Sequence, residues 1–137
     1  MLDNTDMQIL EELNENSRIT MKELGEKVHL TGQAAADRVT KLEEKGVIEG
    51  YTIKINQVKL GCYVYAFITI IIRSTNHQPF LSFINTQEKH IISNYKISGD
   101  GCYLLECRFP SNEVLDDFLL GLNKHANYKL SIVIKKQ

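Results

Sequence analysis

Residues 63–72, with the sequence YVYAFITIII, would be apolar on both faces if they formed a β-strand. Alternate residues of a strand point to opposite sides of its sheet. One side would carry Tyr63, Tyr65, Phe67, Thr69 and Ile71, and the other Val64, Ala66, Ile68, Ile70 and Ile72. A sheet with one face in water usually has polar residues at every second position. We therefore expect protein to cover both faces of this strand.

Further helical and strand segments follow in a regular order. The predicted segments are strand Cys62–Arg73, helix Pro79–Gln87, strand Ile91–Ile97, strand Cys102–Phe109, helix Asn112–Asn123 and strand Tyr128–Ile134. A βαββαβ order is the ferredoxin-like arrangement, in which two helices cover one face of a four-stranded sheet. The second face needs another cover, either a second copy of the sheet in a two-fold dimer or the chain's own N-terminal segment.

The first fifty residues have helical rather than strand periodicity. Short polar residues stand where helices would begin, and N-caps are predicted at Asp3, Thr20, Thr31 and, in the second half, Ser111. Glu23 would complete a capping box with Thr20. Gly25 would let another helix approach closely, and Gly46 would end the third helix in the left-handed conformation. Two short helices joined by a tight turn indicate a helix-turn-helix, or equally any three-helix bundle.

Residues 47–57, VIEGYTIKINQ, change to an alternating pattern that predicts a strand or hairpin. This segment would end a first domain over residues 1–53. A linker over residues 54–61 and a second domain over residues 62–137 would follow. The predicted fold class is α+β, with a helix-turn-helix domain before the ferredoxin-like domain.

Composition argues against membrane and metal-dependent proteins. No run approaches the roughly 18 consecutive apolar residues of a membrane span, and the first residues lack the regions of a signal peptide. We therefore expect a cytoplasmic protein. The three cysteines include no CxxC pair and are expected to be buried apolar residues, with Cys102 and Cys107 on opposite faces of one strand. The four histidines are scattered, so neither a metal site nor a cofactor is predicted.

Charge is unevenly distributed along the chain. Residues 1–50 hold six basic and eleven acidic side chains, a net charge of −5, whereas residues 51–137 hold ten basic and six acidic ones, a net charge of +4. Phosphate contacts normally dominate the affinity of a protein for DNA. An acidic first half therefore counts against DNA binding unless its acids face away from the DNA.

The chain resembles the Lrp/AsnC family of feast/famine regulators at specific positions. The matching residues of the first half are Leu2, Asp3, Asp6, Ile9, Leu10, Leu13, Ser17–Thr20, Glu23–Gly25, Leu30, Thr31, Arg38, Val39, Leu42, Glu43, Gly46–Ile48, Gly50, Tyr51, Leu60 and Gly61. The βαββαβ half is similar to the family's ligand-binding and oligomerisation domain. The resemblance therefore spans essentially the whole chain.

The resemblance implies a transcription regulator that binds double-stranded DNA and forms homodimers, which in this family often assemble into octamers. Gly32–Lys45 would be the recognition helix in the major groove, with Gln33 reading an adenine edge. Phosphates would be contacted by Thr31, Arg38 and Lys41. The predicted DNA-binding residues are Thr31, Gly32, Gln33, Ala34, Arg38 and Lys41.

The family's small-molecule site lies near the turn between the second and third strands of the sheet. The family pattern there runs Gly, any residue, an aromatic residue, then Asp, whereas this chain has Gly101 for the aromatic residue and Cys102 for the acid. A thiol cannot hold the ammonium group of an amino-acid effector, and a plain hairpin turn explains the glycines as well. The predicted effector-binding residues are Gly99, Asp100, Gly101, Cys102 and Tyr103, with Asp100 able to stand in for the missing acid.

Two other functions fit parts of the sequence. An architectural protein that bends DNA with little sequence preference, and no amino-acid effector, would use the same N-terminal helices. An enzyme is the third hypothesis, because some haem-pathway decarboxylases share this two-domain layout. An enzyme would need convergent polar groups around a large pocket, and the spacing of His77, His90 and His125 does not provide them.

Overall fold

The computed structural model describes all residues from 1 to 137, which form two compact units, Met1–Lys54 and Ile55–Gln137. The first unit contains helices α1 (Asn4–Glu15), α2 (Met21–Val28) and α3 (Gly32–Glu44). The second contains strands β1 (Val64–Ile71), β2 (Ile91–Lys96), β3 (Tyr103–Phe109) and β4 (Asn127–Ile132), with helices α4 (Gln78–Asn85) and α5 (Asn112–Leu122). No helix is both long and apolar enough to span a membrane.

The predicted N-caps are confirmed at all three N-terminal helices. At α1, Asp3 and Asp6 form a full capping box, because each side chain accepts the backbone N–H of the other. At α2 only half of the predicted box forms. The Thr20 hydroxyl accepts the Glu23 N–H at 3.1 Å but donates to the Glu23 carboxylate at 2.9 Å. Thr31 caps α3 by accepting the Ala34 N–H at 3.1 Å.

A three-residue turn joins α2 to α3. His29 adopts the left-handed conformation at the end of α2, with φ 62°, and the Leu30 N–H donates to the Gly25 carbonyl at 2.8 Å. A Cβ at Gly25 would lie 2.6 Å from the Leu30 carbonyl oxygen and 2.9 Å from that of Thr31. The expected close approach of another helix at Gly25 is confirmed for the start of α3, because its N-cap Thr31 and the preceding turn occupy this space.

The core of the first unit comes from one face of each helix. Residues three, four or seven apart share a helix face, and the buried positions follow this spacing: Ile9, Leu13, Leu24, Val28, Ala35, Val39 and Leu42, with Ile19 from the α1–α2 connection. Gly46 has the predicted left-handed conformation, at φ 74°. Helix α3 ends one residue earlier than expected, at Glu44.

The second unit is a four-stranded antiparallel sheet of order β2-β3-β1-β4. Both helices pack on one face, and Ser111 caps α5 as predicted. The buried residues are Ala66, Ile68, Ile70, Phe80, Ile84, Tyr103, Leu105, Cys107, Phe109, Leu115, Phe118 and Leu122. Burial raises the pKa of the Cys107 thiol to about 12, which fits its role as a buried apolar side chain.

The opposite face of the sheet has no cover within this unit. We call it the open face and define it by strand alternation and register as Tyr65, Phe67, Thr69, Ile71, Ser93, Tyr95, Leu104, Glu106, Arg108, Asn127, Lys129 and Ser131. Phe67 and Leu104 are half-buried although no helix lies over them, and Tyr95 is 55% exposed.

The predicted strand or hairpin over residues 47–57 is wrong, because this segment forms no strand. Its alternating side chains Tyr51, Ile53 and Ile55 are 51%, 76% and 49% exposed. A strand needs a neighbouring backbone with which to pair, and this chain places none there. The other predicted elements exist, with ends that differ by up to two residues; the third strand begins at Tyr103 rather than Cys102.

Candidate DNA-binding and effector sites

The first turn of α3 is accessible at its surface. Thr31 and Gln33 are exposed, and Gly32 and Ala34 are half-buried. The turn contains no acidic residue, so the partial positive charge of the helix N-terminus is not neutralised there. The Gln33 amide nitrogen donates to the Asp37 carboxylate at 3.0 Å, one turn along the same face.

Arg38 is held by the N-terminus of α1. Its Nη1 atom donates to both carboxylate oxygens of Asp3, at 2.8 and 2.7 Å, and to Asp6 at 3.3 Å. These contacts lower the pKa of the Asp3 carboxyl, chiefly through the hydrogen bond from Arg38, and raise the pKa of Arg38. The other two guanidinium nitrogens make no protein hydrogen bond, so Arg38 keeps donors for a further acceptor.

A row of cations follows from this position. Arg38, Lys41 and Lys45 are spaced three and four residues apart and line one polar cleft of about 270 Å³ together with Asp3 and Asp6. Such spacing brings side chains onto one helix face. Three cations along a face suit the phosphates of a DNA backbone, and the two acids offset part of their charge.

The predicted effector loop is a short connection between β2 and β3. Gly99 requires the left-handed region, at φ 98°, and Gly99 and Asp100 are exposed. A Cβ at Gly101 would lie 2.5 Å from the Thr69 methyl group and 3.1 Å from the Ile70 carbonyl oxygen. The backbone as it stands therefore has no room for the aromatic residue of the family pattern at this position.

The last two residues of the loop are bound to the rest of the domain. The Cys102 N–H donates to the Ile70 carbonyl at 2.7 Å, and its thiol lies 3.5 Å from the Ile72 carbonyl oxygen. Tyr103 is 8% exposed, and its hydroxyl lies 3.0 Å from the His77 ring nitrogen Nδ1. The structure thus leaves Gly99 and Asp100 open to a ligand and encloses Tyr103.

Sequence reasoning missed three contacts of these sites. It did not pair Arg38 with Asp3 and Asp6, although the capping pattern of α1 placed two carboxylates at one helix end. It did not include Lys45, which directly follows α3, among the predicted DNA-binding residues, although its spacing from Arg38 and Lys41 could have shown this. No sequence signal links His77 to Tyr103, which lie 26 residues apart.

Comparisons with known proteins agree with this architecture. The family model for a winged helix-turn-helix DNA-binding domain matches residues 2–49, and that for the Lrp/AsnC ligand-binding domain matches residues 65–136. The chain is 63% identical to the HTH-type transcriptional regulator LrpA of Bacillus subtilis, over 99% of this chain and 100% of that protein.

Solved structures of similar proteins cover almost the whole chain. That of B. subtilis LrpC matches with a TM-score of 0.92 and 32% identity over 100% of this chain and 97% of that one. A Neisseria meningitidis transcriptional regulator in complex with L-Met matches with a TM-score of 0.89 and 29% identity, over 99% and 92%. With both halves matched in order, the chain belongs to the Lrp/AsnC family of helix-turn-helix transcription regulators.

Proposed function

We propose that this chain controls transcription as a homodimer that inserts α3 of each copy into the major groove of its operator. The observation that carries the proposal is the geometry of the turn between α2 and α3. The Gly25 carbonyl, the left-handed His29 and the Thr31 cap fix this turn, and the first turn of α3 remains accessible. A recognition helix usually contacts bases through its N-terminal residues.

Base reading is assigned to Gln33. Its amide can bond to the N6 and N7 edge of an adenine once the contact to Asp37 is released. Gly32 and Ala34 allow the helix backbone to come close to the bases, and Thr31 can still donate its hydroxyl proton to a phosphate.

Backbone contacts are assigned to Arg38 and Lys41. Asp3 and Asp6 orient the Arg38 guanidinium through Nη1 and leave its other nitrogens for a phosphate. Phosphate contacts of this kind position the protein but do not read the sequence. The excess of acid in this half matters less if it lies away from the bound DNA. Glu12 pairs with Lys27 at 3.8 Å on the α1–α2 side.

The homodimer is proposed from the open face of the sheet. A sheet face that carries Tyr65, Phe67, Ile71, Tyr95 and Leu104 without cover in its own unit is characteristic of an interface. A second copy supplies an identical surface, so a two-fold contact covers both at once. Such dimers can assemble further into octamers through other surfaces.

An amino-acid effector is proposed only at the exposed part of the β2–β3 loop. Asp100 carries the one carboxylate among the five loop residues, and Cys102 is bonded to β1. An ammonium group would therefore be held by Asp100, with Gly99 allowing close approach. The L-Met complex of the N. meningitidis relative makes amino acids the first ligands to screen.

Catalysis is not part of the proposed function. The three histidines of the second unit each pack against an aromatic ring: His77 on Tyr103, His90 on Phe109 and His125 on Phe83. Burial also lowers the pKa of His90. Each of these side chains packs on a different aromatic ring, which is not the convergent arrangement of polar groups that an active site requires.

Genome-wide mapping of bound DNA, with the parent and the Gln33→Ala variant, tests the proposed function. We expect the parent to occupy a limited set of sites with a shared motif, and Gln33→Ala to lose preference at an adenine position. Uniform occupancy, or long footprints with bending and no shared motif, would instead support an architectural protein. Repeating the map with added amino acids tests the effector.

A further inference from the structure

The open face of the sheet carries one carboxylate and one guanidinium side by side. Glu106 and Arg108 lie two residues apart on β3 and therefore on the same side of the sheet. Both side chains are half-buried. Glu106 is the only acid among the twelve residues of the open face, so it is also the only anion that this surface can offer to a partner.

Arg108 has hydrogen-bonding capacity that its own chain does not use. Its guanidinium lies over the Tyr65 ring, 3.9 Å from the ring centre. Its Nη1 atom makes a long 3.5 Å contact with the Cys62 carbonyl, and its Nε atom is buried without a partner. The Nη2 atom makes no protein hydrogen bond, so the guanidinium keeps donors for a further acceptor.

The surroundings of Arg108 favour an anion as this further acceptor. A cleft of about 560 Å³ opens beside Arg108, with aromatic walls from Tyr63, Tyr65 and Phe67 and two further cations, Lys135 and Lys136. No acid lines this cleft. Glu106 is occupied elsewhere on its own chain, because it accepts the hydroxyl of Tyr65.

We propose that Glu106 of one copy pairs with Arg108 of a second copy, twice in each dimer, and that these pairs select the partner. In a two-fold contact, if the first residue of one copy meets the second residue of the other, the reverse contact also forms. Two opposite charges two residues apart on one strand are suited to this arrangement. The carboxylate can accept from Arg108 and retain Tyr65, since it has several lone pairs.

The charge pairs make the interface specific for one partner, which apolar contacts alone cannot do. Other sheets of this fold could also cover Phe67 and its neighbours. A sheet with a different charge at either position would place like charges together, which disfavours the wrong pair. The inference rests on the proposed dimer and adds the residues that decide with whom the chain pairs.

Charge reversal tests the pairing with the full-length chain. Glu106→Lys leaves two cations at the paired positions and Arg108→Glu leaves two anions there, so each variant repels itself at these positions. We expect each to raise the dimer dissociation constant by roughly tenfold or more, measured by light scattering after size exclusion. Mixing the two variants, one with a longer tag, should restore a mixed dimer detected by native mass spectrometry.

Three further variants separate the possible results. Glu106→Arg combined with Arg108→Glu in one chain should dimerise with itself but not with the parent, although the contacts of Glu106 and Arg108 with Tyr65 in the same chain are lost. Asp117→Lys, an exposed charge reversal on α5, should behave as the parent. Phe67→Glu places a charge on the open face without changing Glu106 or Arg108, and it should abolish any dimer that forms through this face.

The pairing is overturned if folded single-reversal variants dimerise as the parent does while Phe67→Glu is monomeric. It is also overturned if both are weakened and the mixture forms no mixed dimer. If Phe67→Glu itself remains dimeric, the open face is not the interface and the proposed dimer fails with it. Circular dichroism of each variant distinguishes lost association from lost folding.

Discussion

The two units of the chain differ in how much of their own apolar surface they bury. Three helices enclose the core of residues 1–54, and each helix turns one apolar face inward and a charged face outward. The sheet of residues 55–137 is covered by helices on one face only. The core of the first unit is thus complete within the unit itself. The second unit leaves one face of its sheet for another molecule to cover.

Neighbouring residues of β1 test this difference most strongly. Ile68 is fully buried under the helices, whereas Phe67 lies on the open face. Ile68→Ala removes core packing within the protomer and should cost about 2–5 kcal/mol at any protein concentration. Phe67→Ala should weaken association, so its loss of stability should be small at concentrations where the parent is itself dissociated and should grow as the protein concentration rises. Thermal unfolding at several protein concentrations measures the loss of stability of both variants. A loss for Phe67→Ala that does not change with concentration would show that Phe67 does not lie in a dimer interface.

Gly25→Ala tests whether the turn specifies the first unit. The added methyl group would meet two backbone oxygens that cannot move without opening the turn, and overpacking of this kind costs about 1–3 kcal/mol. Amide hydrogen exchange should show faster opening of α2 and α3 with the sheet unaffected. The matched control is Gly50→Ala, because nothing lies within 4 Å of a Cβ there. Equal behaviour of the two variants would contradict the role of the turn.

Arg38→Ala tests the proposed phosphate contact. Losing one phosphate contact should weaken binding to all DNA sequences and reduce the slope of log K against log salt by about one. The control is Lys27→Ala, which removes one positive charge from the surface where α2 pairs with α1. DNA titrations at several salt concentrations decide the outcome. Unchanged affinity and slope for Arg38→Ala would place this residue outside the interface.

The last prediction concerns the binding of free amino acids. Since Cys102 carries no charge for an ammonium group, we expect weaker binding than in relatives that have the acid, by roughly ten- to a hundredfold for one charge-assisted hydrogen bond. A thermal-shift screen of the twenty amino acids measures it, because a ligand at a hundred times its dissociation constant adds about 2.7 kcal/mol. A shift that disappears in Asp100→Asn identifies the carboxylate that replaces the acid. No shift with any amino acid would indicate a regulator without this effector.

Local signals in the sequence predicted most of the fold. Asp3, Thr20, Thr31 and Ser111 cap the helices that they were expected to cap, since capping depends on residues three positions apart. The apolar run of residues 63–72 predicted both the strand and a second face that the two helices do not cover. The prediction of a strand over residues 47–57 was wrong, because an alternating pattern alone does not supply the second strand that pairing requires.

The sites were less predictable, because their geometry depends on distant residues. Arg38 and Asp3 lie 35 positions apart in the chain. The sequence of α3 alone therefore could not predict that Asp3 binds the Nη1 atom of Arg38. Gly101 stands where the family pattern has an aromatic residue, and its close fit against Thr69 explains why this chain has a glycine there. Similarly, only the register of β1 and β3 places Arg108 over Tyr65.

The mass of the unmodified chain in solution tests the central claim most directly, namely that the sheet is completed by a second copy. Light scattering coupled to size exclusion at micromolar concentration should give twice the protomer mass of 15.7 kDa, or a multiple of that dimer. The open face then has its cover, and α3 is presented twice to the DNA. A single folded species at 15.7 kDa would contradict this account.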